Sequence, residues 1–226
     1  YSMDGTKTDI KEYIKLAKKY NALTYLDEVH AVGLYGEGGR GVAHEQGVSQ
    51  DIDIINGTLA KGFGQIGGYI VANSTIINFI RSFAPGFIFT TSMMPSVAAA
   101  ASKSIEIVET LDNERRDIFN KAKYFRQKLQ LAAIPFIDSD SHIVPILTYS
   151  TTKAKLYSKL LLKHYNIYIQ PIFYPTVPKD TARLRITITP KHSMKDIDIL
   201  TNALKTLFSS EFKKEEIRSS NHNQVA

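Results

Sequence analysis

Apolar positions along this chain follow two alternating periods. From Asp9 to Tyr20, Ile10, Tyr13, Ile14 and Ala17 fall on one face of a helical period, which predicts a helix feeding a short apolar strand that ends at Asp27. A glycine-rich loop runs from Gly33 to Gly41. It is followed by a predicted strand from Ile52 to Leu59, a turn from Lys61 to Gly67, and a strand from Gly68 to Ala72. Ser74 is expected to cap a helix reaching Phe83, and Phe87 to Thr91 reads as one more buried strand. Strands alternating with helices predict an α/β fold with a mostly parallel sheet covered on both faces.

The pattern changes after Pro95. Ser96 to Leu131 is rich in Ala, Glu, Lys, Arg and Leu without an internal proline, predicting long helix with a break near Asp112-Asn113. His142 to Tyr149, a helix from Thr152 to His164, Ile167 to Phe173 and Ala182 to Thr189 predict a smaller sheet with helical cover. An amphipathic helix from Ser193 to Phe212 closes it. The segment from Lys213 onward carries too few apolar residues to pack and is expected to be disordered. No internal repeat is present.

Composition narrows the classes. At 226 residues and 43% apolar content, the chain is long enough for one large core or two smaller ones. No run of eighteen apolar residues predicts a membrane span. The absence of cysteine excludes disulfides, thiolate metal sites and thiol nucleophiles and permits a reducing compartment without establishing one; separately, a cytoplasmic setting and no metal are expected. The net charge of +6 is spread along the chain and is read mainly as a solubility feature, with neither nucleic acid nor membrane expected as a partner. Tyr1-Ser2-Met3-Asp4-Gly5 reads as a strand end entering a turn, so the chain is expected to begin inside a domain.

Two segments carry candidate chemistry. Leu23 to His30 and Asn56 to Gly64 are each a short apolar run that delivers one ionisable side chain, Asp27 and Lys61, and then breaks into glycine-rich sequence. That is how buried strands present functional groups at a sheet edge. An acid and an amine so placed suggest pyridoxal 5′-phosphate chemistry. The amine holds the cofactor's aldehyde as a Schiff base, and the acid keeps the pyridine nitrogen protonated so that the ring accepts electrons. Glu28, next to Asp27, alternates to the other face and is read as structural.

Tyr-Ser-Met-Asp-Gly at the start, Leu-Thr-Tyr-Leu-Asp-Glu-Val-His-Ala-Val-Gly-Leu-Tyr-Gly, and Ile-Asp-Ile-Ile-Asn-Gly-Thr-Leu-Ala-Lys resemble the α-oxoamine synthases. So do Ser82 to Ser92, Ile169-Gln170-Pro171 and Tyr174-Pro175-Thr176-Val177-Pro178. Within that family the likeness is nearest to the 5-aminolevulinate synthase branch, and it covers the C-terminal part of such enzymes. The resemblance implies a fold type I pyridoxal-phosphate architecture. Residues 1–105 would be the C-terminal part of a large cofactor-binding domain, 106–131 a connecting helix, 132–212 a smaller α+β domain and 213–226 a disordered tail. It implies an acyltransferase that condenses glycine with succinyl-CoA, releasing carbon dioxide, to give 5-aminolevulinate for porphyrin and haem synthesis.

The resemblance also implies roles. Lys61 forms the Schiff base and moves protons; Asp27 partners the pyridinium. His30 and Ser2 lie near the cofactor's phenolic oxygen, and Thr58 binds its phosphate. Thr90 supplies a phosphate contact to the other subunit of a homodimer, and Arg185, with Arg183 on the same strand face, grips the substrate carboxylate. The family's glycine-rich phosphate-binding segment, the ring stacked on the cofactor and much of the acyl-CoA pocket belong to an N-terminal portion without counterpart here. The sequence departs from the family pattern at Phe173, at Ile188 and at Thr148-Tyr149.

Other classes remain. Glycine C-acetyltransferase and 8-amino-7-oxononanoate synthase share the apparatus, and a catalytically dead remnant would keep the same words. Asp27-Glu28-Val29-His30 also fits the Asp-Glu-x-His motif of helicase-type NTPases, but Lys61 lacks the spacing and following hydroxyl of a phosphate-binding loop.

Overall fold

A computed structural model of the chain describes residues 1–209; the predicted tail and the end of the last predicted helix lie outside the described residues. The described residues form two compact units, one made of Lys7–Arg115 and the other of Tyr1–Thr6 with the chain from Arg116 onward.

The Lys7–Arg115 unit begins with α1, Ile10–Lys19, capped by the Asp9 side chain, which accepts from Lys11 N. It buries Ile10 and Ile14 but leaves Tyr13 at 60% exposure, so the apolar face is narrower than its sequence period. Three strands follow: β1, Tyr25–Asp27, β2, Ile54–Thr58, and β3, Gly68–Ala72, in the order β1-β2-β3. β1 and β2 are parallel and β2 and β3 antiparallel. Between the first two strands lies the short helix α2, Val42–Glu45. One face of the sheet packs on a cluster of Val32, Leu59, Phe63 and Ala101, joined by Tyr69 and Val108.

Two sequence expectations are corrected here. Asn73, not Ser74, caps α3, Ser74–Phe83: its extended backbone lets Oδ1 accept from Ile76 N at 2.9 Å, and Ser74 is the first helical residue. The strand expected over Phe87 to Thr91 is instead the single helical turn α4, Pro85–Ile88, followed by irregular chain. Pro85 presets the first helical position, and Ala84 O captures Phe87 N and Ile88 N. The burial that a strand there required is absent, with Phe89 86% exposed. α5, Pro95–Glu109, and α6, Asp112–Leu131, are separated at Thr110 and Leu111, where the sequence placed a break.

In the other unit, β4, Ile143–Tyr149, β5, Gln170–Ile172, and β6, Ala182–Thr187, form an antiparallel sheet in the order β4-β6-β5. Its core comes from stripes at helical spacing: Ile118, Ala122, Phe125 and Leu129 on α6; Ala154, Tyr157 and Leu161 on α7, Thr151–Tyr165; and Ile197, Leu200, Leu204 and Leu207 on α8, Met194–Phe208. Phe125 and Leu129 are fully buried despite the polar composition of α6; such side chains contribute about 1.5–3 kcal/mol each. α7 ends at Asn166 in the left-handed conformation, and α8 opens with a capping box between Ser193 and Asp196. Of the residues that depart from the family pattern, Phe173, Ile188 and Thr148 are engaged, while Tyr149 is exposed. Phe173 lies under Lys155, 4.7 Å from Nζ to the ring centre, Ile188 is buried, and the Thr148 hydroxyl donates to Ala182 O at 3.0 Å.

Candidate functional site

Because β1 and β2 run in parallel, their carboxyl ends open at the same edge. Asp27 is the last residue of β1 and stands in register with Asn56; β2 continues two residues further, to Thr58. Paired residues, and residues two apart, share a sheet face, so Asp27, Asn56 and Thr58 lie on one face. Asp27 is exposed there, with Oδ1 accepting from Val29 N at 2.9 Å. Its neighbour Glu28 takes the opposite face and is 2% exposed.

Lys61 stands three residues beyond Thr58, with its side chain exposed, on a loop that the backbone holds tightly. Leu59 N donates to Gly67 O at 2.9 Å, Gln65 N to Leu59 O at 2.7 Å and Gly64 N to Lys61 O at 3.2 Å. The Ser104 hydroxyl of α5 donates to Phe63 O at 2.7 Å, and Phe63 is buried. On the other side, a Cβ on Gly62 would fall 2.8 Å from Val32 O, so only glycine lets the lysine turn close on the loop after β1. His30 sits in that same loop, within the turn closed by Ala31 N and Val32 N on Glu28 O. Thr58 Oγ1 donates to Gly67 O at 3.1 Å and accepts from Ala60 N at 3.1 Å, tying the end of β2 to both sides of the lysine loop.

Behind this edge, Tyr69 on β3 lies across Gly57: a Cβ on Gly57 would meet Tyr69 Cζ at 2.2 Å and its hydroxyl at 2.4 Å. Burial pushes the Tyr69 phenol pKa up, and the charge of Glu28 adds to the effect. Glu28 itself is raised, mainly by burial; the amides of Val42 and Ala43 oppose the shift, and the charges of Asp27 and Glu45 add to it. Gly57, Gly62, Gly64, Gly67 and Gly68 allow close backbone approach around the lysine on sequence grounds, but nothing singled out Ser104 or Tyr69 as what approaches.

The remaining predicted residues fall into separate groups. Thr90 is exposed in the irregular chain between α4 and α5. Ser2 and Arg185 belong to the other unit, where they meet: Arg185 Nε donates to Ser2 O at 2.6 Å and Nη1 to Thr187 Oγ1 at 3.1 Å. Its Nη2 has no hydrogen-bond partner among the described residues. Arg183, on the same face of β6, is 6% exposed and donates to Thr181 O and Met3 O. Burial lowers both guanidinium pKa values, with Asp4 partly offsetting the shift at Arg183.

The donor set at the β1/β2 edge fits a phosphorylated aldehyde cofactor with a ring nitrogen. It combines an exposed amine, a carboxylate on a neighbouring strand end, a hydroxyl between them and an imidazole on the adjoining turn. Among the described residues no helix is long and apolar enough to cross a membrane.

Comparisons with known proteins agree with this chemistry. The family model for aminotransferase class I and II matches residues 1–204. A 5-aminolevulinate synthase of Rhizobium meliloti (strain 1021) is 49% identical over 209 residues, which are 92% of this chain and 52% of that protein. One from Bradyrhizobium diazoefficiens is 50% identical over 204 residues, 90% of this chain and 50% of that protein. Among solved structures, a serine palmitoyltransferase variant from S. paucimobilis with a bound PLP–myriocin aldimine superposes with a TM-score of 0.85 at 30% identity. The superposition covers 92% of this chain and 52% of that one. The chain thus spans about half the length of the relatives it matches.

Proposed function

Since the chain belongs to the aminotransferase class I and II family, we propose that it supplies the C-terminal half of a pyridoxal-phosphate-dependent 5-aminolevulinate synthase. The reaction joins glycine and succinyl-CoA to give 5-aminolevulinate, CoA and carbon dioxide, the first step of porphyrin and haem synthesis. The observation that carries this reading is the convergence of Asp27, Thr58 and the clamped Lys61 loop at one parallel-strand edge, in a chain 49% identical to a relative of that name. In this reading residues 1–105 end the cofactor-binding domain, 106–131 are the connecting helix and 132–212 the small domain, except that Tyr1–Thr6 group with the later unit.

The bound cofactor supplies an electron sink for charge that develops at glycine's α-carbon. Lys61 would hold the cofactor through its amine, and the same Nζ would accept a proton from glycine's α-carbon. Asp27 would keep the ring nitrogen protonated through its carboxylate, and the resemblance assigns the phenolic oxygen to His30 and Ser2. Thr58 would bind the phosphate through the hydroxyl that here donates to Gly67 O. Arg185 is favoured over Arg183 for the substrate carboxylate because its side chain is half-buried while Arg183 is buried. Thr90 serves the phosphate of a second subunit, which makes a homodimer part of the reading, and a cytoplasmic setting belongs to it as well.

The test is an assay of the chain together with a polypeptide supplying the remaining half of the Rhizobium meliloti relative. Glycine- and succinyl-CoA-dependent formation of 5-aminolevulinate, abolished by Lys61→Ala, is expected. Preference for another acyl-CoA or amino acid, or activity that survives Lys61→Ala, contradicts the assignment.

A further inference from the structure

Glu28 is a buried ionisable group, adjacent to Asp27, that the proposed chemistry does not use. Its carboxylate is fully engaged: Oε2 accepts from Val42 N at 3.0 Å and Oε1 from Ala43 N at 2.7 Å. Gly41 closes over it so tightly that a Cβ there would lie 2.9 Å from Glu28 Cδ, and Gly41 holds a φ of +104. The backbone of the same residue is engaged on both sides. Glu28 N donates to Asn56 O at 2.8 Å, continuing the pairing of β1 with β2, and Glu28 O accepts from Ala31 N at 2.8 Å and Val32 N at 3.0 Å.

These contacts join three pieces at one residue: the strand end that carries Asp27, the turn that carries His30 and the start of α2. Successive residues of an extended strand point to opposite faces. Pinning the Glu28 side chain on the buried face therefore turns Asp27 to the open face, where Oδ1 accepts from Val29 N at 2.9 Å. Among the described residues, burial and neighbouring negative charge both disfavour the ionised Glu28 carboxylate, and the two amides oppose them. Its charged neighbours are Asp27 and Glu45, and Tyr69 faces it from β3. An apolar side chain would fill the space without a desolvation cost but would leave two amides unpaired.

We propose that Glu28 is a positioning residue of the cofactor site: anchored on the Val42 and Ala43 amides, it fixes the orientation of the Asp27 carboxylate and of the turn bearing His30. This rests on the reading of Asp27 and His30 as cofactor-facing groups, but its effect is measurable on the chain itself.

The experiment follows hydrogen exchange of the Val29 amide and the NMR titration of the Asp27 carboxyl in the wild-type chain, Glu28→Gln and Gly41→Ala. Gly41→Ala presses on the same anchor from its other side and leaves the charge unchanged. In each variant that keeps the wild-type far-ultraviolet circular dichroism, Val29 exchange is expected to rise about tenfold, with a shifted Asp27 titration, as the Asp27–Val29 bond loses its fixed geometry. Folded variants with wild-type exchange at Val29 and an unchanged Asp27 titration overturn the proposal. Pyridoxal phosphate added to the same samples separates the two claims. A wild-type chain that binds none counts against the functional reading, while the Asp27 and Val29 measurements still decide the role of Glu28.

Discussion

The ring of Tyr69 occupies the space that a side chain at Gly57 would need, with Cζ 2.2 Å from the position of a Cβ. Gly57 immediately precedes Thr58, so this contact sets how closely β3 backs the strand that ends in the candidate site. Gly57→Ala is expected to destabilise the chain by about 2 kcal/mol through overpacking. In a Tyr69→Leu background the same substitution is expected to cost less than half of that. A double-mutant cycle by urea denaturation measures the coupling; additive effects would refute the contact.

Tyr149 adopts a φ of +61 at the irregularity that ends the pairing of β4 with β6. The residue is 54% exposed, so its ring contributes little packing. The left-handed conformation costs a non-glycine residue about 1–2 kcal/mol. Tyr149→Gly is therefore expected to raise stability by roughly 0.5–1 kcal/mol after the entropy of a freer unfolded chain is subtracted. A lower melting temperature for the variant would show that the ring matters more than the backbone.

Ser193 and Asp196 exchange reciprocal hydrogen bonds at the start of α8, with Asp196 N donating to Ser193 Oγ at 3.1 Å and Ser193 N to Asp196 Oδ2 at 2.8 Å. Ser193→Ala is expected to cost about 1 kcal/mol in denaturant unfolding. A change within error would mean that solvent replaces the cap.

Glu28 gives stability a definite pH sign. Its folded pKa is raised above the ordinary value of 4.5, so the native state takes up a proton before the unfolded chain does. Its contribution is full below 4.5 and is lost as pH rises through the folded value. Asp53 and Asp196 act in the opposite sense: both are lowered from 3.8 by hydrogen bonds, from Thr24 and Ser193 respectively, so their contribution is lost as pH falls below that value. The difference in unfolding free energy between wild type and Glu28→Gln is thus expected to fall with rising pH just above 4.5. A flat or rising difference would contradict the buried-carboxylate account.

Part of the fold was legible from local pattern, even where the residues are exposed or half-buried. The strand ending at Asp27, the Gly68–Ala72 strand and the break between α5 and α6 follow the sequence pattern. The Phe87 to Thr91 segment misled because an apolar run reads as a buried strand, whereas local geometry at Pro85 and Ala84 turns it into an exposed helical turn. For the candidate site, Asp27 and Lys61 stand out as ionisable groups at strand ends followed by glycines, while Thr58 enters only through the resemblance. Their support was not readable: the Ser104 hold on Phe63 and the Glu28 anchor on α2 join residues 41 and 14 positions apart, which no local pattern encodes.

The central claim is that Lys61 is the amine that binds the cofactor. Adding pyridoxal 5′-phosphate to the chain, reducing with borohydride and mapping the modified peptide by mass spectrometry tests it directly. The account predicts a reduced adduct on Lys61 that disappears in Lys61→Ala; a principal adduct on any other lysine, or none on Lys61, would contradict it.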